Sequence, residues 1–533
     1  MRLRFLFVLL AALCAPILAG AQTLEELMQR LPDGGFGDRA EVVIAIGRTG
    51  DPRAAYVLEA LLEGELHQRN ADGVLLRVTG GRGNEQGFDL LTEEALGPVA
   101  ARSTNAVRVN NALRRTIRTS MGILTLRHPD PARRLAAAES AFRSADAEQL
   151  EPLTEALEAE TDDRVRRALA QARAVTLLAT DAPLAERMEA VEVISERRAR
   201  TVVAALNPHR TVDEPALAEK IADTIAAAER RIAAWGMAQN VWFGLSLGSV
   251  LLLAAVGLAI TFGVMGVINL AHGELIMLGA YTTFFVQQTI RSHAPHLFDW
   301  SLLIAAPLAF VVVGAMGVAI ERGVVRHLYG RALETLLATW GISLILQQAV
   351  RMIFGPTNRE VGNPSWMSGS FAVGEMTITW ARLNILIFSL VVFVGLLLAL
   401  RYTRFGLTMR AVTQNRAMAA NMGVRTGWVD AMTFGLGAGI AGLAGVALSQ
   451  IDNVSPNLGQ SYIIDSFLVV VFGGAGNLWG TLAAAFSLGV INKFLEPWAG
   501  AVLAKIVILV FIILFIQKKP RGLFPQRGRA AEA

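Results

Sequence analysis

The sequence predicts an all-α protein in two parts. An exported helical, HEAT-like domain with a small hairpin insertion comes first, and a polytopic α-helical membrane domain of seven to nine spans follows. Three observations predict this. Residues 22–235 are rich in Arg, Ala, Glu and Asp and hold no apolar run near the ~18 residues that cross a bilayer. Residues 240–516 are a series of such runs broken by short loops. The first 21 residues match neither part and have the pattern of an export leader.

In that leader, "MRLR" is a basic start, "FLFVLLAALCAPILA" an apolar stretch, and "AGA" before Gln22 a small-residue cleavage site. The pattern reads as a signal peptide over 1–21, with an uncleaved anchor as the alternative. The single cysteine, Cys14, lies inside it. The mature chain is then expected to carry no disulfide and no thiolate metal site.

Residues 22–235 are expected to form a periplasmic, repeat-like helical domain. "AIGRTGDPRAAYVLEALLEGEL" (45–66) places Asp-Pro before apolar residues at helical spacing; proline suits a first helical turn, where its missing N–H matters least. A similar Asp-Pro run follows over 130–178. Both resemble HEAT-type hairpins, whose neighbours bury each other's apolar faces. Between them, "DGVLLRVTGGRGNEQGFDLLTEEALGPV" (72–99) has Gly-rich turns and alternating Val and Leu, which predicts a small hairpin. Nothing in this half resembles a catalytic centre, so an interaction or spacer role is expected.

The membrane domain is expected over 236–529. Apolar runs fall near 241–262, 273–290, 301–320, 332–354, 381–400, 428–450, 461–475, 479–495 and 503–516. If 461–475 and 479–495 are a re-entrant pair, nine crossings become seven. Three loops set the orientation. Residues 401–427 carry Arg401, Arg404, Arg410, Arg416 and Arg425 with no acid; 322–331 carry Arg322, Arg326 and Arg331; and the tail "KKPRGLFPQRGR" (518–529) is basic throughout. All three are expected on the cytoplasmic side. The 355–379 loop, with Glu360 and Glu375 against one arginine, belongs outside. An exported amino-terminal domain and an odd number of crossings agree with a cytoplasmic tail.

Charge and motifs exclude several functions. The net charge of +4 sits in short loops beside apolar spans, not along a phosphate-tracking stripe, so no nucleic-acid partner is expected. "GLSLG" (244–248) matches the serine-hydrolase G-x-S-x-G, but that motif needs a strand-to-helix elbow and here it opens an apolar run. The chain has no G-x-x-x-x-G-K-[ST] and no His pair at ligand spacing. No cofactor and no metal are expected, the protein is not read as an enzyme, and any ATP-driven step belongs to another polypeptide.

Polar residues stand out inside "VINLAHGELIMLGAY" (267–281), where Asn269, His272 and Glu274 interrupt apolar sequence. A charge at the bilayer centre costs at least ~2.5–3.5 kcal/mol on insertion scales. Either the motif is a solvated helix start at the cytoplasmic interface, or it lies deeper and lines a path. Gln347, Gln348 and Asp465 are further candidates that equally serve to bridge helices. Gly435, Gly439 and Gly442 recur at three- and four-residue spacing, and Gly473, Gly474 and Gly476 interrupt the next apolar stretch. Such glycines either let helices approach closely or mark broken helices along a transport path.

Three stretches carry a family resemblance: "GVMGVINLAHGELIMLGAY", "RYTRFGLTMRAVTQNRAMAANMGV" and "VVVFGGAGNLWGTLAAAF". Together they resemble the permease subunits of branched-chain amino-acid-type ABC importers. The long exported domain, "GPTNREVGNPSWMSG" and the ending "KKPRGLFPQRGR" are similar to the B-type permease subunits of urea importers. The resemblance implies a multi-pass protein of the bacterial inner membrane that passes urea, with a branched-chain amino acid as the alternative substrate. It implies as partners a second permease subunit in a heterodimer, two cytoplasmic ATPase subunits and a periplasmic urea-binding protein. It also implies that 401–427 couples to an ATPase, with Arg410, Asn415, Met418 and Gly423 as the contact residues. An ATP-independent secondary transporter or channel is a further alternative, but paired charges along several helices, its usual sign, are not seen.

Overall fold

The structure is a computed structural model that describes residues 23–51, 53–80, 85–100 and 103–524. The expected signal peptide (1–21), Cys14 and the end of the basic tail (525–529) lie outside the described residues. The chain divides into two compact units, Met1–Ile232 and Ala233–Ala533.

The first unit opens with α1 (Leu24–Arg30), α2 (Phe36–Arg48) and α3 (Ala54–Glu63). Thr23 and Glu26 cap α1 reciprocally, the Thr23 hydroxyl accepting from the Glu26 N–H at 3.3 Å and the Glu26 carboxylate from the Thr23 N–H at 3.4 Å. Next come β1 (Leu66–Arg69), β2 (Leu75–Thr79), β3 (Gln86–Asp89), β4 (Ala95–Pro98) and β5 (Thr104–Ala106). They form one antiparallel sheet in the order β4-β3-β2-β1-β5. This corrects the expected small hairpin and with it the all-α class: five strands are present, and β1 pairs with β2 on one side and β5 on the other. The apolar faces of α1–α3 and of α4 (Asn111–Leu126) bury Val43, Ile46, Leu58, Leu61, Leu113 and Ile117 in a common core with Leu66 of β1.

The remaining helices of this unit are α5 (Pro131–Ser144), α6 (Leu150–Ala159), α7 (Asp163–Leu178), α8 (Leu184–Ser195), α9 (Ala199–Leu206) and the first part of α10 (Pro215–Met265). Their core contains Leu153, Leu169, Val175, Val191, Ile194 and Ile221. Asp130 caps α5, accepting from the Ala132 N–H at 2.9 Å, and Pro131 occupies the first turn, as Asp-Pro predicts.

A buried ion pair ties the end of α6 to α5. Arg134 donates Nε and Nη2 to the two oxygens of Glu160 at 2.7 and 2.9 Å, and the N–H groups of Thr161 and Asp162 add two further donors at 2.9 Å. These donors, Arg134 foremost, hold the Glu160 carboxyl below its ordinary 4.5. A depressed carboxyl stabilises the fold above its unfolded value and loses that contribution as acid protonates it. Arg134→Ala is therefore expected to cost about 2 kcal/mol at neutral pH, because it strands a buried carboxylate. The deficit against the unmodified protein should begin to close as the pH falls below 4.5 and shrink further as the carboxyl protonates; chemical unfolding at a series of pH values from neutral into the acid range checks it.

The second unit contains the rest of α10, then α11 (His272–His293), α12 (Ser301–Gly323), α13 (Ala332–Phe354), the hairpin β6–β7 (Ser370–Val373 and Met376–Thr379), α14 (Trp380–Tyr402), α15 (Arg404–Gln414), α16 (Arg416–Asn421), α17 (Thr426–Leu448), α18 (Leu458–Gly473) and α19 (Leu478–Lys518). Among the described residues six helices are long and apolar enough to cross a membrane: α10, the one ending at Gly323, α13, α14, α17 and α19. Two of the expected apolar runs are joined in α19, interrupted by non-helical backbone at Gly500. α18 is short, and α11 carries Glu, Gln, Thr and Gly along its length.

Packing in this unit is dominated by α12 against α17 and α11 against α17. The glycine face of α17 makes both contacts. Gly442 meets the Ala309 carbonyl of α12 on one side and the backbone of Gly279 in α11 on the other, and Gly445 meets Ile276 and Ala280. Lipid supplies no hydrophobic drive between helices, so backbone proximity of this kind supplies the dispersion contact that holds them.

Two ends of the bundle are distinct. At one, the Arg416 guanidinium lies over the Tyr329 ring, which brings the basic loops 322–331 and 401–427 together. At the other, Arg359 pairs backbone with Val454, Gln287 bonds to Gly362, and Ser365 donates to Asp299. The less basic 355–379 loop therefore sits at the end away from the basic loops, the segregation that the charge pattern predicts.

Candidate functional site: a polar seam between α11 and α13

α10 ends at Met265, and residues 266–271 leave the helix before α11 begins at His272. The chain doubles back here. His272 Nε2 reaches the Ala254 carbonyl at 2.9 Å, eleven residues before the end of α10, or roughly 16 Å along that helix at 1.5 Å per residue. The motif is thus deep in the bundle: Asn269, His272 and Glu274 are each 1% exposed or less. The interfacial, solvated helix start is corrected on this point. The turn back makes the difference, because it carries α11's first turn inward along α10.

Irregular backbone at this depth must find partners, and it does. Asn269 Oδ1 accepts from the Ala271 N–H at 3.1 Å, and the Leu270 N–H donates to Thr339 Oγ at 3.2 Å. Glu274 lies in the first turn of α11, where the helix dipole favours negative charge, and accepts from the Ser343 hydroxyl at 3.1 Å.

Thr339 and Ser343 belong to a stripe that sequence reading missed. α13 buries Thr335, Thr339, Ser343, Gln347 and Val350, while Leu333, Leu337, Ile345, Met352 and Ile353 are exposed. Four of those five buried residues are polar and stand four apart, one beneath another on a single helix face. That spacing was visible in the sequence as a polar period within an apolar run. The buried side of α13 is the reverse of a soluble amphipathic helix.

The seam holds polar atoms with no partner among the described residues. Asn269 Nδ2 and Gln347 Nε2 are unused donors, and His272 Nδ1, Glu274 Oε2 and Tyr281 OH are also unpaired. A carbonyl faces His272 Nε2, so that nitrogen carries the proton and Nδ1 of the neutral ring is an acceptor. Buried groups of this kind each cost ~1–3 kcal/mol when left unmatched; the Glu274 carboxylate meets Ser343 of α13, while the His272 ring lies against Ala254 and Gly257 of α10.

Other candidates lie elsewhere. Gln348 is exposed on the far side of α13. Asp465 of α18 pairs with Lys505 of α19 at 3.0 Å. Gly435 and Gly439 face Gly314 and Phe310 of α12; Gly473 packs on Gly480; Gly474 and Gly476 have φ of +105° and +81° in the turn between α18 and α19. Ser246 of "GLSLG" is buried within α10, with no strand-to-helix elbow around it.

In the basic loop, Asn415 caps α16 by accepting from the Met418 N–H at 2.9 Å, and Gly423 follows it with φ +85°. Met418 on this short helix and Met422 just past its end are 59% and 78% exposed. Arg410 braces α15 against α14, donating to the Leu400 carbonyl at 2.5 Å.

Residues 240–516 match the family described as the branched-chain amino acid transport system permease component. The chain is 31% identical over 294 residues to the high-affinity branched-chain amino acid transport system permease LivH of Escherichia coli K12, covering 54% of this chain and 94% of that protein. It is 30% identical over 293 residues to LivH of Salmonella typhimurium, with the same coverage. BraD of Pseudomonas aeruginosa, another high-affinity branched-chain amino acid permease, is 30% identical over 292 residues, again 54% of this chain and 94% of the relative. No solved structure matches.

Proposed function

We propose, from the premise that this chain belongs to the branched-chain amino acid transport system permease family, that it translocates urea across the bacterial inner membrane. At the coarser level it is the permease component of an ABC transporter of that family, a multi-pass membrane protein whose transport is driven by ATPase subunits and supplied by a binding protein. The finer reading gives it a second permease subunit as heterodimer partner, two cytoplasmic ATPases and a periplasmic urea-binding protein. It has seven to nine spans, a signal peptide over 1–21, a periplasmic HEAT-like spacer over 22–235, and cytoplasmic basic loops.

One observation carries the substrate. The unpaired polar atoms around the seam include amide donors (Asn269 Nδ2, Gln347 Nε2) and acceptors (His272 Nδ1, Glu274 Oε2). Urea is small and neutral, with a carbonyl that accepts and amino groups that donate. It satisfies both sets without a counter-charge, and desolvating it costs only the few kcal/mol typical of amide-like groups. Asn269, His272, Glu274 and Gln347 line the path in this reading, and the seam opens to admit urea.

The second reading is a branched-chain amino acid, the substrate class in the relatives' names. Glu274 favours it, since a carboxylate matches an ammonium group. Uptake by the assembled transporter separates the two. Labelled urea is expected to enter in a saturable, ATP-dependent way that excess leucine does not inhibit. Competition by leucine at comparable concentration would overturn the urea assignment and leave the amino-acid permease.

A further inference from the structure

One charged cluster lies outside the seam. Arg416, the first residue of α16, donates Nη2 to Asp430 Oδ2 at 2.5 Å, and its guanidinium sits 4.9 Å from the Tyr329 ring centroid. Tyr329 in turn donates its hydroxyl to Glu321 Oε1 at 2.7 Å. Glu321 lies near the end of α12 and Asp430 near the start of α17, each 1% exposed. Asp430 Oδ1 has no other partner among the described residues. A short exposed helix, the 324–331 link and two core helices therefore converge on one guanidinium.

The burial is asymmetric. The Arg416 side chain is 47% exposed and Asp430 is 1% exposed. Pulled outward, Arg416 regains water at little cost, but Asp430 is left as an uncompensated buried charge, which is strongly unfavourable. A displacement of α16 is resisted at Asp430, and therefore transmitted to α17. The α17 backbone is in direct contact with α12 through Gly442 and with α11 through Gly442 and Gly445, so little slack separates the cluster from the helix that carries Glu274. Packed elements of this kind shift as units.

We propose that Arg416, Asp430, Tyr329 and Glu321 form a clamp that joins the ATPase-contacting helix α16 to the α12–α17 pair, and that these four are positioning residues for coupled transport. The proposal rests on reading 401–427 as the ATPase contact. The clamp does not touch the transported molecule; it sets how much of the ATPase's movement reaches the seam.

The test uses the whole transporter in vesicles, measuring ATPase co-purification, ATP hydrolysis and substrate moved per ATP. Arg416→Gln should keep the ATPase attached yet lower substrate moved per ATP about a hundred-fold or more, the scale of a stranded buried charge. Tyr329→Phe, which removes only a hydroxyl, should lower it less. In Arg416→Gln/Asp430→Asn position 430 is neutral and needs no guanidinium, so the double variant should transport no worse than Arg416→Gln. A double-variant loss equal to the product of the single losses, or a wild-type transport ratio in every variant, overturns the clamp. Met418→Glu, on the exposed side of α16, tests the premise. If it leaves ATPase attachment and hydrolysis unchanged, the loop reading falls and the clamp with it. If it detaches the ATPase while the clamp variants keep the wild-type ratio, the clamp alone falls.

Discussion

Gly279→Val is expected to abolish accumulation of the folded protein. A β-carbon at 279 overlaps the Gly442 carbonyl and lies 2.6 Å from its Cα; both obstacles are backbone, so no rotamer change relieves them. α11 and α17 have to separate, and the same glycine face seats α12. Overpacking in a tight interior costs ~1–3 kcal/mol when side chains can yield; here only the helices can. We expect at least about 3 kcal/mol on that scale, read as a collapse of the monodisperse, detergent-solubilised fraction. Gly341→Val in α13, where a β-carbon meets open space, should accumulate normally. Equal accumulation of the two variants would contradict the α11–α17 contact.

The second large effect concerns transport rather than folding. Glu274→Leu removes the seam's carboxylate, leaving the Ser343 hydroxyl free to bond its own helix backbone. Because the freed Ser343 hydroxyl keeps a backbone partner, no buried donor is stranded, and the protein should still assemble. Uptake should fall about ten- to one hundred-fold, the equivalent of one charge-assisted hydrogen bond at ~1.5–3 kcal/mol. Substrate capture by the soluble binding protein should be unchanged. Asn269→Ala and His272→Ala should slow translocation in the same way. Normal uptake by well-expressed variants would make the seam a packing device and remove these residues from the path.

Much of this was legible because the bilayer imposes a plain rule on composition. The change of character near residue 236, the apolar runs and the gathering of the basic loops 322–331 and 401–427 at one end of the bundle all follow from it. The depth of His272 was not legible. It depends on residues 266–271 turning back along α10, a tertiary event whose only local sign is Gly266, with φ +67°. The sheet was missed for a different reason. "QGFD", "ALGP" and "TNA" are too short and too mixed to show alternation; β3 and β5 become strands by adding to β2 and β1, and β4 by adding to β3. The stripe on α13 is written in the sequence as a four-residue polar period, to which Gln347 belongs and the adjacent Gln348 does not, so the two lie on different faces. The Arg416–Asp430 pair links two apparently independent signals, a basic loop and the start of an apolar run, and pairing of that kind needs the fold.

The stripe on α13 has a thermal consequence. If α11 and α13 part to pass a substrate, as proposed above, the surface wetted on α13 is that of Thr335, Thr339, Ser343 and Gln347. Wetting apolar surface raises heat capacity, whereas wetting polar surface lowers it. Parting α11 from α13 would therefore carry a small heat-capacity change. An equilibrium of that kind has an enthalpy that scarcely varies with temperature, so its van't Hoff plot is close to a straight line. The balance between open and shut is then governed by the same rule in cold water as in warm, without the curvature that apolar closure imposes.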